Sequence, residues 1–287
     1  MRPILKWAGG KARLAPSICK AFEDPCQGTY YEPFAGGLAV FLHRKTLGHV
    51  GQAVLTDVNP KLIAVHRAVQ TDVEGLLEAL GRLPGGEDWR DRYYEVREAY
   101  NAGPWEGTPH AARFLWLNRA GFNGLYRENR SGRFNVPVGR YARLSFPSPE
   151  AFREVSRLLQ GAEIRVADFR DVLAEAGEGD QVYCDPPYVP LGGTASFTAY
   201  AKAPFGIEEQ RALAIAAREA ALRGARVVLS NHDVPLVRRD LYPKSRGFEH
   251  VARPRVTRPI SRKAAGRKDR VTEVIAAIGP LHGLEAA

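Results

Sequence analysis

Short apolar runs recur along the chain, and most of them end at an acidic or other polar residue. Runs of this length with polar boundaries are typical of strands buried inside a sheet. They predict six strands, at residues 29–32, 53–57, 164–168, 181–185, 225–230 and 273–278.

Between these runs, apolar residues recur with the period of a helix. That period predicts helices at residues 60–70, 73–83, 88–101, 110–118, 149–159 and 207–222. Strands that alternate with helices indicate an α/β fold with a mostly parallel sheet. Residues 121–149 show little periodicity and are rich in Gly, Asn, Arg and Pro. We therefore predict an insertion over residues 88–147, with residues 1–87 and 148–287 forming the main domain.

The composition narrows the class of protein. The chain has 287 residues, of which 45% are hydrophobic and 25% charged, as in ordinary globular proteins. These values exclude a disordered chain, a collagen and a coiled coil. No apolar run approaches the roughly 18–20 residues that span a bilayer, and the first residues lack the apolar core of a signal peptide. Three cysteines are too few for a disulfide framework. From these observations together we expect a soluble, reduced, cytoplasmic protein without a membrane partner.

The net charge of +9 is unevenly distributed. Residues 238–270 contain twelve basic and three acidic side chains, and residues 113–143 contain seven arginines and one acid, Glu128. The rest of the chain has a net charge of −6. Two basic segments on an acidic body indicate a polyanionic partner, and arginine suits contacts to phosphates and guanine edges. A diffuse charge that only aids solubility is the alternative.

A glycine-rich turn follows the first predicted strand, in the sequence EPFAGG at residues 32–37. Asp57 ends the next strand, twenty residues after Gly37. A carboxylate at this distance can accept hydrogen bonds from both ribose hydroxyls of a nucleoside cofactor. The glycine spacing departs from the dinucleotide fingerprint, so a plain tight turn is the alternative.

Four carboxylates end predicted strands: Glu32, Asp57, Asp168 and Asp185. In open α/β sheets such ends share one rim, where ligands bind. Carboxylates that lie close together repel each other unless a cation or several donors meet them. A cofactor with a sulfonium group would supply positive charge. A metal ion is the competing interpretation, but no histidine cluster completes a ligand set, so we expect no metal.

The sequence Asp185-Pro186-Pro187-Tyr188 follows directly on a predicted strand. The two prolines keep the backbone extended and remove two N–H donors. The carboxylate of Asp185 and the carbonyl of Pro186 can then serve as two acceptors beside the flat ring of Tyr188. This set suits an exocyclic amine on a planar base. A rigid turn closed by a buried tyrosine is the structural alternative.

These motifs together resemble a known family. DPPY at residues 185–188, KWAGGK at 6–11 and PFAGG at 33–37 resemble the signature motifs of Dam-type (D12 class) DNA adenine-N6 methyltransferases. RAGFNGLYR at 119–127 and GRFNVPVGRY at 132–141 resemble that family's target-recognition hairpin. The motifs occur in the family's order, and the similarity extends from about residue 3 to about residue 275.

The resemblance implies a Rossmann-like S-adenosylmethionine-dependent methyltransferase fold with a helical and β-hairpin insert that binds duplex DNA. It implies transfer of a methyl group to adenine N6 by base flipping and direct in-line attack. The implied catalytic residues are Asp185, Pro186 and Tyr188. The implied cofactor-binding residues are Trp7, Lys11, Phe34, Gly36, Asp57, Asp168, Phe169 and Asp185. The implied DNA-binding residues are Lys6, Arg119, Phe122, Asn123, Leu125, Arg127, Pro137 and Tyr141.

The recognition insert is so similar to that of GATC-specific members that we predict GATC as the target, and we expect a monomer associated with the nucleoid. Leu38 departs from the small residue common in relatives, and neither the loop at 192–205 nor the basic stretch 253–270 is similar enough for roles to be transferred. Four alternatives stay open: another target sequence, an RNA base as the methyl acceptor, cytosine N4 as the methyl acceptor, and a non-catalytic DNA-binding protein on the same scaffold. A nicotinamide dehydrogenase is disfavoured by the glycine spacing. Whether a cognate restriction endonuclease acts beside the protein also stays open.

Overall fold

The computed structural model describes residues 1–191, 205–257 and 270–280. The described residues form one sheet of eight strands in the spatial order β3-β2-β1-β4-β5-β8-β6, with β7 also paired to β8. The strands are β1 Thr29–Glu32, β2 Gln52–Asp57, β3 Glu163–Val166, β4 Gln181–Cys184, β5 Arg226–His232, β6 Glu249–Ala252, β7 Arg255–Thr257 and β8 Arg270–Ile278. Strands β1 to β5 pair in parallel, which confirms the predicted α/β class, whereas β8 pairs antiparallel with β5, β6 and β7.

The helices cover both faces of this sheet. They are α1 Ala15–Lys20, α2 Ala39–Thr46, α3 Pro60–Thr71, α4 Val73–Gly81, α5 Tyr93–Asn101, α6 Gly107–Ala120, α7 Pro149–Leu159, α8 Phe169–Glu175 and α9 Ile207–Leu222. Successive strand residues alternate between two apolar cores, as the pleat requires. Tyr30 and Tyr183 face the core under α1, α2, α3 and α7, whereas Val182 and Cys184 face the core under α8 and α9.

Two helix starts show how local sequence sets the elements. The side chain of Asn59 accepts hydrogen bonds from the backbone of Lys61 and Leu62, and Pro60 occupies the first turn of α3. Ser148 caps α7 in the same way, ahead of Pro149. A polar cap followed by proline satisfies orphan donors and presets the helical backbone, so both helices begin at the predicted residue.

The predicted insert contains α5 and α6 and the irregular segment after them. Its large aromatic side chains, among them Tyr93, Phe114 and Trp116, belong to the same apolar core as Tyr30 and Phe41 of the sheet domain. Helix α6 packs on α3 and α4. The insert therefore shares its core with the main domain.

None of the helices in the described part of the chain is long and apolar enough to cross a membrane. All three cysteines, Cys19, Cys26 and Cys184, are free thiols. The loop at 192–204 and the basic residues at 258–269 lie outside the described residues.

Candidate active site

The four carboxylates predicted for the rim each have donors of their own. Glu32 accepts hydrogen bonds from the Tyr30 hydroxyl and from the backbone of Phe41. Burial raises the pKa of Glu32 to about 8. Because Phe41 lies in the first turn of α2, Glu32 caps a helix that lacks a capping side chain at its own N-cap. Glu32 is thus a structural carboxyl beneath the rim.

Asp57 holds the glycine-rich turn against the end of β2. Its carboxylate accepts hydrogen bonds from the backbone of Gly36 at 3.2 Å and of Asn59 at 3.0 Å. Burial raises the pKa of Asp57, and these two N–H groups oppose the rise. From the other side, the His66 ring forms a hydrogen bond with the carbonyl oxygen of Gly36 at 2.8 Å. These contacts hold the turn beside Asp57, whose remaining lone pairs can accept hydrogen bonds from hydroxyl groups.

Gly36 and Trp7 form a close-fitting wall next to Asp57. Gly36 has a φ of 45°, and a Cβ there would lie 2.9 Å from Cδ1 of Trp7. Only glycine permits this approach. Leu38, the departure noted in the sequence, also adopts a left-handed conformation with a φ of 60°, and its side chain is buried. A buried leucine at this angle stores strain of the kind that clusters at ligand sites.

Lys11 and Asp185 form an ion pair at the end of β4. Nζ of Lys11 lies 2.9 Å from Oδ1 of Asp185, and only 4% of the lysine side chain is exposed. Nζ also donates to the carbonyl oxygen of Gly9 and lies 4.7 Å from the centre of the Tyr188 ring. Desolvation raises the pKa of Asp185, and the charge of Lys11 lowers it again. Lys11 therefore favours the ionised form of a carboxylate that burial would otherwise neutralise.

Tyr188 is anchored at its far end by residues that the sequence did not single out. Its hydroxyl donates to Glu273 at 2.9 Å, and its ring meets the edge of His232 at a centroid distance of 4.9 Å. His232 ends β5, and Glu273 lies opposite it on β8. The turn is held further by Asn231, which accepts from the backbone of Val189. Pro186 is buried beneath this arrangement.

An aromatic cluster lies at the start of α8. Phe34 is half-buried and stacks on Phe169 with centroids 5.7 Å apart, and Phe205 contacts both rings. Asp168 accepts from the backbone of Arg170 as the N-cap of α8 and pairs with its guanidinium. Both roles leave acceptor capacity on the carboxylate, so Asp168 can still bind a ligand.

Candidate nucleic-acid interface

Lys6, Arg119 and Tyr141 meet where the N-terminal segment contacts the insert. Nζ of Lys6 lies 4.7 Å from the centre of the Tyr141 ring. Burial lowers the pKa of Lys6, and the nearby charge of Arg119 lowers it further. Arg119 is half-buried and donates to the carbonyl oxygen of Ile4. Gly124 allows this packing, because at its φ of 65° a Cβ would lie 2.7 Å from the Lys6 side chain.

The segment after α6 forms an irregular hairpin. Phe122 donates to the carbonyl oxygen of Pro137 at 2.8 Å, and the Glu128–Phe134 bridge continues the pairing. Arg127 and Pro137 are exposed, whereas Phe122, Asn123 and Leu125 are half-buried. Nε of Arg127 donates to the side chain of Asn135 at 2.7 Å. The hairpin thus presents a solvent-facing edge. This edge includes residues that are expected to read bases and residues that are expected to fill the space left by the target base.

The parallel sheet, the glycine-rich turn beside Asp57 and the Lys11–Asp185–Tyr188 cluster at the end of β4 define a Rossmann-like methyltransferase. Residues 7–255 match the family described as D12 class N6 adenine-specific DNA methyltransferase. The chain belongs to this family and is an adenine-specific DNA methyltransferase. Membership implies S-adenosylmethionine as the methyl donor and DNA as the substrate.

Curated relatives cover nearly the whole chain. A DNA adenine methylase of Haemophilus influenzae is 38% identical over 97% of this chain and 94% of that protein. A DNA adenine methylase of Escherichia coli is 36% identical over 97% of this chain and 96% of that protein. Type II methyltransferase M.MjaIII of Methanocaldococcus jannaschii is 33% identical over 96% and 98%. A putative RNA methyltransferase from Pyrococcus horikoshii superposes with a TM-score of 0.43 at 11% identity over 94% of this chain and 82% of that one, a similarity too distant to support a conclusion.

The described residues contain no group of three or more His, Cys, Asp or Glu that could hold a metal ion. The rim carboxylates are met by backbone donors, a hydroxyl, Lys11 and Arg170 instead.

Proposed function

We propose that this enzyme methylates N6 of adenine within GATC sites of duplex DNA, using the rim of β1, β2 and β4 as its active site. The observation that carries the active-site assignment is the Lys11–Asp185–Tyr188 cluster. It combines a carboxylate paired with a lysine, a second acceptor on Pro186 and an aromatic ring at one strand end. The choice of GATC rests on the similarity of residues 119–141 to the recognition insert of GATC-specific members.

The residues on the cofactor side fit S-adenosylmethionine. The Trp7 indole occupies the space that a Cβ on Gly36 would need, so the ring lies directly against the glycine-rich turn beside Asp57. Asp57 would accept hydrogen bonds from the ribose hydroxyl groups. Phe34, Phe169 and Asp168 would bind the adenine of the cofactor. When bound, S-adenosylmethionine supplies a methyl group activated by a sulfonium.

On the substrate side, the chain makes a weak nucleophile more reactive. The lone pair of adenine N6 is delocalised into the ring. Asp185 and the Pro186 carbonyl would accept hydrogen bonds from the two N6–H groups and localise that lone pair toward the methyl group. Tyr188 would stack on the base, and the hydrogen bond from its hydroxyl to Glu273 holds the far end of the ring. Positioning and electrostatic stabilisation at N6 then provide the acceleration, and water takes the released proton.

The target base must leave the duplex, because N6 is not accessible to the active site inside the helix. Phe122 and Asn123 would fill the space that the base vacates. Leu125, Arg127 and Pro137 would read base edges. Lys6 would contact an outer guanine, with Arg119 and Tyr141 beside it at the DNA. The net positive charge of residues 113–143 supports this side as the one that binds DNA.

Restriction protection tests the proposal directly. Unmethylated plasmid is incubated with enzyme and S-adenosylmethionine, then digested with one endonuclease that cuts only unmethylated GATC and one that cuts only its adenine-methylated form. We expect the treated plasmid to resist the first endonuclease and to be cut by the second. Plasmid treated with Asp185→Ala, whose folding is checked by circular dichroism, should show neither effect. Methyl incorporation without this pattern refutes GATC, and incorporation into RNA but not duplex DNA refutes the substrate.

A further inference from the structure

Glu128 is unusual because it is the one acid among the arginines of residues 113–143. The structure shows that its side chain points at α3 of the main domain. Its Oε1 lies 2.7 Å from Nζ of Lys61, in the first turn of α3. Tyr126 donates a hydrogen bond to the same oxygen. The carboxylate is therefore held by the main domain and by its own hairpin.

Lys61 directs its ammonium group entirely at the insert. Besides Glu128, Nζ donates to the carbonyl oxygen of Gly132 at 2.6 Å and lies 4.0 Å from the centre of the Trp105 ring. Only 7% of Lys61 is exposed. A lysine this buried is rare and costly unless paired, so its contacts serve a specific arrangement.

The same contacts connect the hairpin to the cofactor side of the active site. The backbone of Lys61 donates a hydrogen bond to the side chain of Asn59, and the backbone of Asn59 donates to Asp57. The Tyr126 ring also stacks on Trp7 with centroids 5.6 Å apart. The hairpin thus contacts Trp7 directly and is connected to Asp57 through Lys61 and Asn59.

The hairpin is paired by isolated bridges, at Gly121–Val138 and Glu128–Phe134, and by backbone hydrogen bonds from Phe122 to Pro137 and from Asn135 to Arg127. The buried side chains of Phe134 and Val136 specify the register of its second half. A short, irregular hairpin is marginally stable alone, so the orientation of its first half depends on contacts with the main domain. Side chains alternate along extended backbone, so an anchored Glu128 leaves its neighbour Arg127 facing solvent.

We propose that the Lys61–Glu128 ion pair is a positioning device for sequence discrimination. It sets the orientation of the edge that carries Leu125 and Arg127. An ion pair whose lysine is buried can select one arrangement of the chain over others. This inference rests on the proposed role of the hairpin in reading bases.

Two variants test the pair. Glu128→Gln keeps the shape and an acceptor but removes the charge, and the double variant Lys61→Met with Glu128→Gln leaves no unpaired buried charge. Glu74→Gln is the matched control, because it makes the same change in the ion pair between Glu74 and Arg153, which joins α4 to α7. Arg127→Ala is the reference for loss of a base-reading side chain.

Each protein, shown to be folded by circular dichroism, methylates genomic DNA that lacks adenine methylation. The modified adenines are mapped by sequencing, and kcat/KM is measured on the preferred site and on its single-base variants. We expect both Glu128 variants to lower the ratio of preferred to variant sites about tenfold, comparable to the loss of one base contact, while Glu74→Gln leaves it unchanged.

Three results overturn the inference, and they differ in what else they affect. If the ratio stays the same in both Glu128 variants but falls in Arg127→Ala, the ion pair does not position the hairpin, although the hairpin reads bases. An equal loss of activity on every sequence would mean that the pair only stabilises the fold. If Arg127→Ala also leaves the ratio unchanged, the assigned role of the hairpin is wrong and the inference fails with it.

Discussion

The ion pair between Lys11 and Asp185 offers the sharpest test of the active-site electrostatics. Desolvation raises the pKa of Asp185, and Lys11 lowers it. Replacing Lys11 with methionine removes the charge but keeps an unbranched side chain in the same space. The pKa of Asp185 should therefore rise further, so that more of the enzyme carries a protonated acid, which is a poor acceptor for its N6–H hydrogen bond.

The separation of the charges sets the size of this effect. Two unit charges 2.9 Å apart attract by about 6 kcal/mol at an effective dielectric constant of about 20. About a fifth of the Asp185 side chain is exposed, and contact with water reduces the attraction to about 3 kcal/mol. Loss of Lys11 removes this preference for the ionised carboxylate and so raises the pKa of Asp185.

The assay is the pH dependence of kcat/KM for methyl transfer, which reports ionisations of the free enzyme. We expect the acidic limb to move to higher pH in Lys11→Met, because the pKa of Asp185 rises when the charge of Lys11 is lost. Lys20→Met, on the exposed end of α1, should leave it in place. A lower rate with an unmoved limb would refute the reasoning, because it would mean that Lys11 binds cofactor without controlling Asp185.

Three further predictions concern other parts of the molecule. Burial raises the pKa of Glu32 to about 8 from an ordinary value of 4.5. The free energy of unfolding of the wild type, relative to that of Glu32→Gln, should therefore be greatest below about pH 4.5. It should fall by at most about 5 kcal/mol as the pH rises to about 8. Urea unfolding across that range checks this, and parallel curves for both proteins would contradict it. Phe122→Ala should reduce the fluorescence increase of 2-aminopurine at the target position without weakening cofactor binding; an unchanged signal would remove Phe122 from base flipping. Arg140 is exposed, and Arg140→Ala should lower the slope of log affinity against log salt concentration by about one, whereas an unchanged slope would exclude a phosphate contact.

Local chemistry explains which elements could be predicted. Helices α3 and α7 begin at the predicted residues because each combines a polar cap with proline. Helix α2 has no such signal at its start. Leu38 lies there in a left-handed conformation, and the capping carboxyl comes from Glu32 on a neighbouring strand. The cap is absent from the local sequence pattern because it comes from the end of the preceding strand, nine residues upstream and on the far side of the glycine-rich turn.

The antiparallel half of the sheet was predicted only in part. The apolar run at 273–278 predicted a strand, but not its direction, and β6 and β7 are short edge strands without a clear period. That direction places Glu273 opposite His232 and beside Tyr188. A carboxylate 85 residues from its partner has no local signature that links the two.

The amino-acid sequence alone determined the class of fold, the order of the motifs and the chemistry of the strand ends, because period, caps and short motifs are local properties. It also showed that charge is concentrated in two segments. Only the tertiary structure decided how the rim carboxylates are neutralised: Lys11 meets Asp185, backbone donors meet Asp57, and Glu32 is buried. It likewise showed that Glu128, the one acid of residues 113–143, forms an ion pair with Lys61. Such pairings depend on which elements pack together, and that is settled by the burial of apolar faces from the whole chain.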